Sequence, residues 1–388
     1  MSAVNKSTCE VAIAGGGPAG LLCALLLHHK GVKPVLISKP APKQIGRTVA
    51  LMEGSLQLLK TAGVYDQVAK AGEPLRAIRL VDDTGGFFRA PTTVFDAHEL
   101  GLEAFGLNIP NDALQAALDV AVRSCDIERI EGAITSADLQ DKHVIIHGDD
   151  FACTADVVVA ADGRRSILRE ALGLKTKKHS YPQSAVTAIF EHAAPHHGVS
   201  TEFHTRHGPF TLVPLQGNKS SLVAVVAPDD AEHLVHLPDD LFCRDVERRC
   251  QHLLGKMSLI SQRGTWPLEM AVPQQFAVQR VLLAGEAAHV LPPIGAQGLN
   301  LGLRDAEAAA ENIASAIFSK SDPGSADVMK LYNDNRARDI RPRSFAVDSF
   351  NRSLLTPFLP AHLLRGFGLY LANSNNALRK GLIRTGLG

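Results

Sequence analysis

Residues 9–37 constrain the fold more than any other stretch. Cys9–Ala14 is an apolar run of strand length, GGGPAG (15–20) follows, GLLCALLLHHK (20–30) fits a buried helix, and Val35–Ile37 resumes a strand. Strand, glycine turn, helix, strand is a βαβ unit. Gly15, Gly17 and Gly20 form G-x-G-x-x-G at its first junction. There the first glycine makes the tight turn, the second lets backbone approach a pyrophosphate, and the third permits close helix–strand packing. Pro18 and Ala19 complete the turn, and the helix start offers free N–H groups and partial positive charge to phosphates. A bound dinucleotide is expected. One usual part is missing, because Ser38-Lys39 stands where an acid normally grips the ribose. An ordinary hydrogen bond there replaces a charge-assisted one of about 1.5–3 kcal/mol, so the adenosine end is held less tightly.

The same stretch excludes a membrane anchor. Val11–Leu27 is the longest uncharged apolar run, but GGGPAG would break a spanning helix and no convincing cleavage site follows. The expectation is a cytoplasmic protein without a transmembrane segment. Forty basic residues balance forty acidic ones, which gives no support to a nucleic-acid partner. Six scattered cysteines without a CxxC read as packed thiols in a reducing compartment.

The 388 residues allow about two to three domain-sized units. Apolar strands recur at Val144–Ile146, Val157–Ala160 and Val281–Ala284. Between them, residues 173–274 change character: TLVPLQ (211–216) and SLVAVVAP (221–228) carry β-branched residues between turns, as in an antiparallel sheet. GLNLGLRDAEAAAENIASAIF (298–318) reads as one alanine-rich helix, and the last fifty or so residues read as helices broken at Pro342, Pro357 and Pro360. The expected division is a dinucleotide domain from 1–72, 106–172 and 275–335, a sheet domain from 73–105 and 173–274, and a helical segment from 336–388.

Two further runs carry chemistry. DVVVAADGRRSILRE (156–170) sets Asp162-Gly163 at a strand end. VLLAGEAAHVLPPIGAQGLN (281–300) places Glu286 after Gly285 and then has no Asp, Glu, Lys or Arg before Arg304. With GGGPAG, RTVALMEGS (47–55), YPQ (181–183), GPFTLVPL (208–215), WPL (266–268) and YNDNRARD (332–339), these runs extend from about residue 9 to the C-terminus. Together they resemble the flavin-dependent aromatic hydroxylases with one dinucleotide domain, and among them the ubiquinone-biosynthesis hydroxylases.

The resemblance implies an α/β fold of the p-hydroxybenzoate hydroxylase type: a Rossmann-like FAD-binding domain, an inserted antiparallel-sheet substrate domain and C-terminal helices. It implies FAD as cofactor, with NADPH or NADH as a transient reductant, since no second G-x-G-x-x-G exists. Oxygen would add to give a C4a-hydroperoxyflavin that hydroxylates a phenol, and cofactor chemistry of this kind requires no protein nucleophile or metal. Asp162 and Gly285-Glu286 would meet the cofactor, Glu286 at the ribityl chain, and Arg47 would lie near it. Pro293, Ala296, Gln297, Gly298, Leu299 and Asn300 would form an apolar wall and helix start against the isoalloxazine. Missing charges there suit a reduced flavin that carries negative charge. Glu286, Pro292 and Ala296 depart from the family's usual Asp, His and Gly. His289 reads as structural, and His192, His196, His197, His204 and His207 as solvated or hydrogen-bonded rather than metal-binding. No general base is assigned.

The implied substrate is a polyprenylphenol. From Ser349 to Gly388 there is no acid, and five basic residues (Arg352, Arg365, Arg379, Lys380, Arg384) alternate with apolar ones. This fits either a peripheral contact with an inner-membrane surface or a biosynthetic complex, or a helix packed with its basic face outward. Three other functions stay open: a hydroxylase of a small soluble phenol, a flavin-dependent isoprenoid reductase, and a non-catalytic flavin-loaded subunit. A halogenase is disfavoured, because Trp266 is the only tryptophan.

Overall fold

In the computed structural model, which describes residues 5–40, 46–85 and 89–355, the opening strand β1 (Asn5–Ala14) is central to an eight-stranded sheet. Val11, Ala12, Ile13 and Ala14 are fully buried, as expected of a parallel strand covered on both faces. β1 pairs in parallel with β2 (Pro34–Ser38) on one side and β11 (Phe151–Ala160) on the other. β2 continues to β8 (Glu128–Glu131), and β11 to β19 (Val281–Leu283) and the short β18 (Ala277–Val278). A β meander, β9 (Ile134–Leu139) and β10 (Val144–Gly148), hangs on β11. The expected βαβ unit is present, with its first strand longer than the apolar run alone indicated.

Helix α1 (Pro18–His29) buries every residue from Ala19 to Leu27. It packs against α8 (Gln297–Phe318), whose Ala306, Ala308, Ala309 and Ala310 are all buried. α2 (Glu53–Thr61), α3 (Tyr65–Ala71) and α4 (Asn111–Ser124) cover the rest of this side. A small three-stranded sheet links the units: β3 (Thr48–Met52), β4 (Glu73–Pro74) and β7 (Gly106–Pro110).

The second large sheet runs β16 (Met257–Leu259), β12 (Thr176–His192), β15 (Lys219–Val226), β14 (Gly208–Leu215), β13 (Val199–Thr205), β5 (Ala77–Asp82) and β6 (Thr93–Asp96), with β17 (Gly264–Pro273) also on β12. It is antiparallel except where β13 meets β5. One face carries Phe190, Phe203, Phe210 and Leu222 against the buried side of α6 (Pro228–His236) and α7 (Asp239–Arg249).

The last described element, α9 (Ala326–Leu355), corrects two expectations. It runs through Pro342, and the expected boundary at 335/336 falls inside it. Pro342 and Arg338 are both exposed, so water is available to the carbonyl that the proline leaves unpaired. The helix straps both units together. Tyr332 Oη donates to Leu283 O at 2.7 Å on the first sheet. Tyr181 Oη donates to Asp348 at 2.6 Å, and Asn351 Nδ2 to Gln183 Oε1 at 2.8 Å, on the second. Pro357, Pro360 and the basic tail beyond Leu355 lie outside the described residues.

Candidate active site

Register brings the three predicted loops to one edge. Ala14 pairs with Ile37 and with Ala160, and Ala160 pairs with Leu283, so Gly15, Ser38, Asp162 and Gly285 follow strand ends lying side by side. Ligands of open α/β sheets bind at that carboxyl edge. A surface cavity of about 630 Å³ lined by Gln275, Arg280, Asn333 and Arg341 opens instead at the amino end of β19, away from these loops.

The glycine turn has room for a pyrophosphate. Gly15 adopts φ +116°, and a Cβ there would lie 2.1 Å from Ala161 O. A Cβ on Gly20 would lie 2.0 Å from Gly15 O, so only glycine lets α1 sit this close. Gly17 differs, with nothing within 4 Å of its Cβ position. That opening faces a helix start with Pro18 at its first position, no side-chain cap and no acid in its first turn, which leaves N–H groups for an anion. The chain therefore fits the phosphates of FAD. Gln115 of α4 braces the turn from behind, donating to Gly16 O at 2.7 Å. Buried Ser38 lies against the same turn, its Oγ 2.9 Å from where a Gly16 Cβ would be, and Lys39 follows it exposed.

Asp162 works first as a helix cap. Its Oδ2 accepts from Ile167 N (2.8 Å) and Leu168 N (3.3 Å) at the start of α5 (Ile167–Ala171). Oδ1 is buried without a partner, and burial raises the carboxyl above its ordinary value against the lowering effect of those bonds. An unpartnered buried oxygen costs about 1–3 kcal/mol, which a hydroxyl-bearing ligand would recover. Glu286 is exposed and drawn to Arg164 at 3.4 Å. Arg169 clamps this turn, donating to Ala287 O at 2.8 Å.

Behind Gly285 lies a buried ionic cluster. Asp305 of α8 accepts from Gly285 N (2.9 Å), His289 Nε2 (2.8 Å) and Arg336 Nε of α9 (2.6 Å). Burial alone would raise this carboxyl, but the charges and hydrogen bonds of His289 and Arg336 outweigh it and hold it below the ordinary range. His289 is buried and spends its Nε2 on Asp305. The roles of Asp305, Arg336 and Gln115 were not read from the sequence, although RDA and YNDNRARD contained the first two.

The start of α8 uses its polar side chains internally. Asn300 Oδ1 accepts from Met52 N (3.0 Å) and Ser55 Oγ (2.6 Å), and its Nδ2 donates to Ala50 O (2.9 Å) and Ala296 O (2.6 Å). Its side chain is thus a bracket between β3 and α8. Gln297 Oε1 accepts from Arg343 of α9 at 3.2 Å. What faces outward is backbone: the N–H groups of Gln297, Gly298 and half-buried Leu299, with no acid in the first turn and open space beside Gly298. Ala296 caps the helix in the left-handed region at φ +53°, beside buried Pro292 and exposed Pro293. A residue with a Cβ costs about 1–2 kcal/mol there.

Opposite lies the uncovered face of the second sheet. Thr48 of β3 donates to Ser221 at 2.8 Å, and Arg47, itself exposed, stacks over Trp266 at 4.1 Å. Between these contacts Thr211, Val213 and Val223, all in interior strands, remain half-exposed on the face that β3 meets. Of the clustered histidines, His192 bonds Ala194 O and Ser220, His196 bonds Leu215 O and Gly217 O, and His204 bonds Glu202. No group of metal-ligating side chains occurs among the described residues.

Known proteins agree with this geometry. The profile of the FAD binding domain family matches residues 8–341. The uncharacterised protein slr1300 of Synechocystis is 30% identical over 95% of this chain and 90% of its own length. Ubiquinone hydroxylase UbiL of Rhodospirillum rubrum is 29% identical over 98% of this chain and 89% of its own. The fold superposes on p-nitrophenol 4-monooxygenase PnpA of Pseudomonas putida with a TM-score of 0.80, at 21% identity over 98% of both chains. A glycine cradle open to a pyrophosphate, three loops on one sheet edge and a family match over most of the length lead to one conclusion: the chain belongs to the FAD binding domain family and is an FAD-dependent hydroxylase.

Proposed function

We propose that the protein hydroxylates the aromatic ring of a polyprenylphenol precursor of ubiquinone, using NAD(P)H and oxygen. The observation that carries this reading is the half-exposed sheet face of Thr211, Val213 and Val223, joined through Thr48 of β3 and Asn300 to the start of α8. Its exposed side chains are mostly apolar with a few polar groups, as a prenylated ring requires. Relatives named for this chemistry support it, among them UbiL and the 3-demethoxyubiquinol 3-hydroxylase of Escherichia coli, 27% identical over 99% of both chains.

Bound FAD supplies the redox chemistry with NAD(P)H and oxygen. The chain's own residues do the rest. Gly17 and the N–H groups of Ala19 and Gly20 would hold the pyrophosphate, with Ser38 and Lys39 at the ribose end and Asp162, Glu286 and Arg47 along the cofactor. Pro292, Pro293 and Ile294 would exclude water from its ring, and the N–H groups opening α8 would favour negative charge on it.

Turnover under ¹⁸O₂ tests the reading. We expect one labelled oxygen in the ring per NAD(P)H consumed, and higher kcat/KM as the prenyl tail lengthens. NAD(P)H oxidation that yields only hydrogen peroxide with every phenol would refute it, and anaerobic saturation of an isoprenoid double bond would establish the reductase alternative. No helix among the described residues is long and apolar enough to cross a membrane. Peripheral contact through the basic tail is part of the proposal, and failure to float with anionic vesicles rejects it.

A further inference from the structure

The sheet face that carries Thr211 and Val223 also carries a carboxylate to which the proposed function gives no task. Glu202 (β13), Thr211 (β14), Val223 (β15), Thr187 (β12) and Gly264 (β17) are register partners forming one row across the sheet. The adjacent row contains Ser221, which is bonded to Thr48 of β3, and β3 is bracketed to the start of α8 by Asn300. Glu202 therefore lies in the row next to the strand that meets the cofactor wall.

Its surroundings differ from those of a solvated acid. Oε1 accepts from His204 Nε2 at 3.0 Å, and Oε2 accepts from Thr211 Oγ1 at 3.2 Å. The Glu202 side chain is 19% exposed, whereas His204 is 2% exposed beneath the Phe350 ring of α9, at 5.3 Å between centroids. Two of about four acceptor positions on the carboxylate are used, which leaves room for one more donor from the open side. His204 gives its Nε2 proton to Glu202, and its Nδ1 is buried with no partner. Asp82, in register beside His204 on β5, is engaged by Thr84 and Ala90.

We propose that Glu202 is the catalytic residue that binds the ring hydroxyl of the substrate and takes its proton, with His204 as its positioning residue. In this step the phenol O–H bond breaks, its electron pair stays on oxygen, and the proton forms an O–H bond on the Glu202 carboxylate. Nothing is oxidised or reduced. The phenolate enriches the ring carbons ortho and para to it, and Glu202 releases the proton to solvent when product leaves.

This assignment rests on the ring-hydroxylase reading, so its test uses equilibrium binding rather than turnover. FAD-loaded protein is titrated with 2-prenylphenol and with its methyl ether, and binding is followed by perturbation of the flavin spectrum. We expect the wild type to prefer the phenol about ten- to hundredfold, as loss of a charge-assisted hydrogen bond implies. Glu202→Gln should lower the ratio about fivefold or more, as a charge-assisted bond becomes an ordinary one, with the loss falling on the phenol, and His204→Asn should lower the ratio part of the way. No preference or no binding in the wild type, an unchanged ratio in Glu202→Gln, or equal loss of both ligands overturns the assignment. Labelled-oxygen incorporation by the wild type decides the other question separately. Incorporation with an unchanged ratio removes only Glu202, and a Glu202-dependent ratio without incorporation removes only the hydroxylase reading.

Discussion

Replacing Asp305 by Asn should damage the cofactor site from behind. Asn retains the shape and an acceptor for Gly285 N, but removes the charge that compensates Arg336 and accepts from His289. Asp305 is 0% exposed and Arg336 3%, so solvent screening gives little relief. Breaking a buried pair costs about 3–5 kcal/mol, and Asp339 beside Arg336, at 3.0 Å, favours the lower end. For a chain of this size that corresponds to a fall in Tm on the order of 4–6 °C. The site should respond as well, because Gly285 and the turn carrying Glu286 lose their anchor. Scanning calorimetry of the apoprotein and fluorescence titration with FAD measure the two effects. The pH dependence has a definite sign. Asp305 is held below its ordinary range, so its stabilisation is present above about pH 3.9 and is lost as pH falls through the lower folded value. Wild type and variant therefore differ most at neutral pH and converge in acid. An apoprotein Tm within 2 °C or so of wild type at pH 7 would falsify the view that this cluster anchors the Gly285 turn.

Gly17→Ala should leave the apoprotein Tm nearly unchanged and weaken FAD binding at least about tenfold, whereas Gly20→Ala should unfold the domain, because its Cβ would meet Gly15 O; thermal melts with and without FAD separate the two. Ala296→Gly should raise stability by about 1 kcal/mol by relieving a left-handed alanine, and an unchanged or lower denaturation midpoint would contradict that account. Tyr181→Phe removes the hydroxyl that binds Asp348 of α9 and should cost about 1–2 kcal/mol in urea unfolding, with Arg352 still paired to that carboxylate.

The legible part of the site was the part written in local backbone chemistry. GGGPAG, DG and the GE loop each require glycine or a turn where a strand stops, and short-range rules identify such places. Their meeting on one edge then follows from parallel strands in register. Less legible were side chains whose partners lie far along the chain. Asn300 bonds Ala50 across 250 positions, and its usefulness as a bracket has no local signature. His204 read as one of several surface histidines, because nothing in its neighbourhood announces that α9 will cover it. Pro342 reads as a helix stop by propensity, and the helix continues because that turn faces water and is held at both ends by packing.

The sequence by itself determined the class of fold and a dinucleotide turn, because strand and helix periodicity and glycine turns are short-range properties of the backbone, and its resemblance to flavin-dependent hydroxylases implied FAD. Only the tertiary structure decided what holds that edge and what faces it. Asp305, His289 and Arg336 become a buried cluster only when α8 and α9 pack behind β19. Glu202 and His204 become a candidate acid–base pair only when the sheet forms and α9 lays Phe350 against His204. Burial and the direction a side chain faces belong to packing between distant segments, and a linear pattern does not contain them.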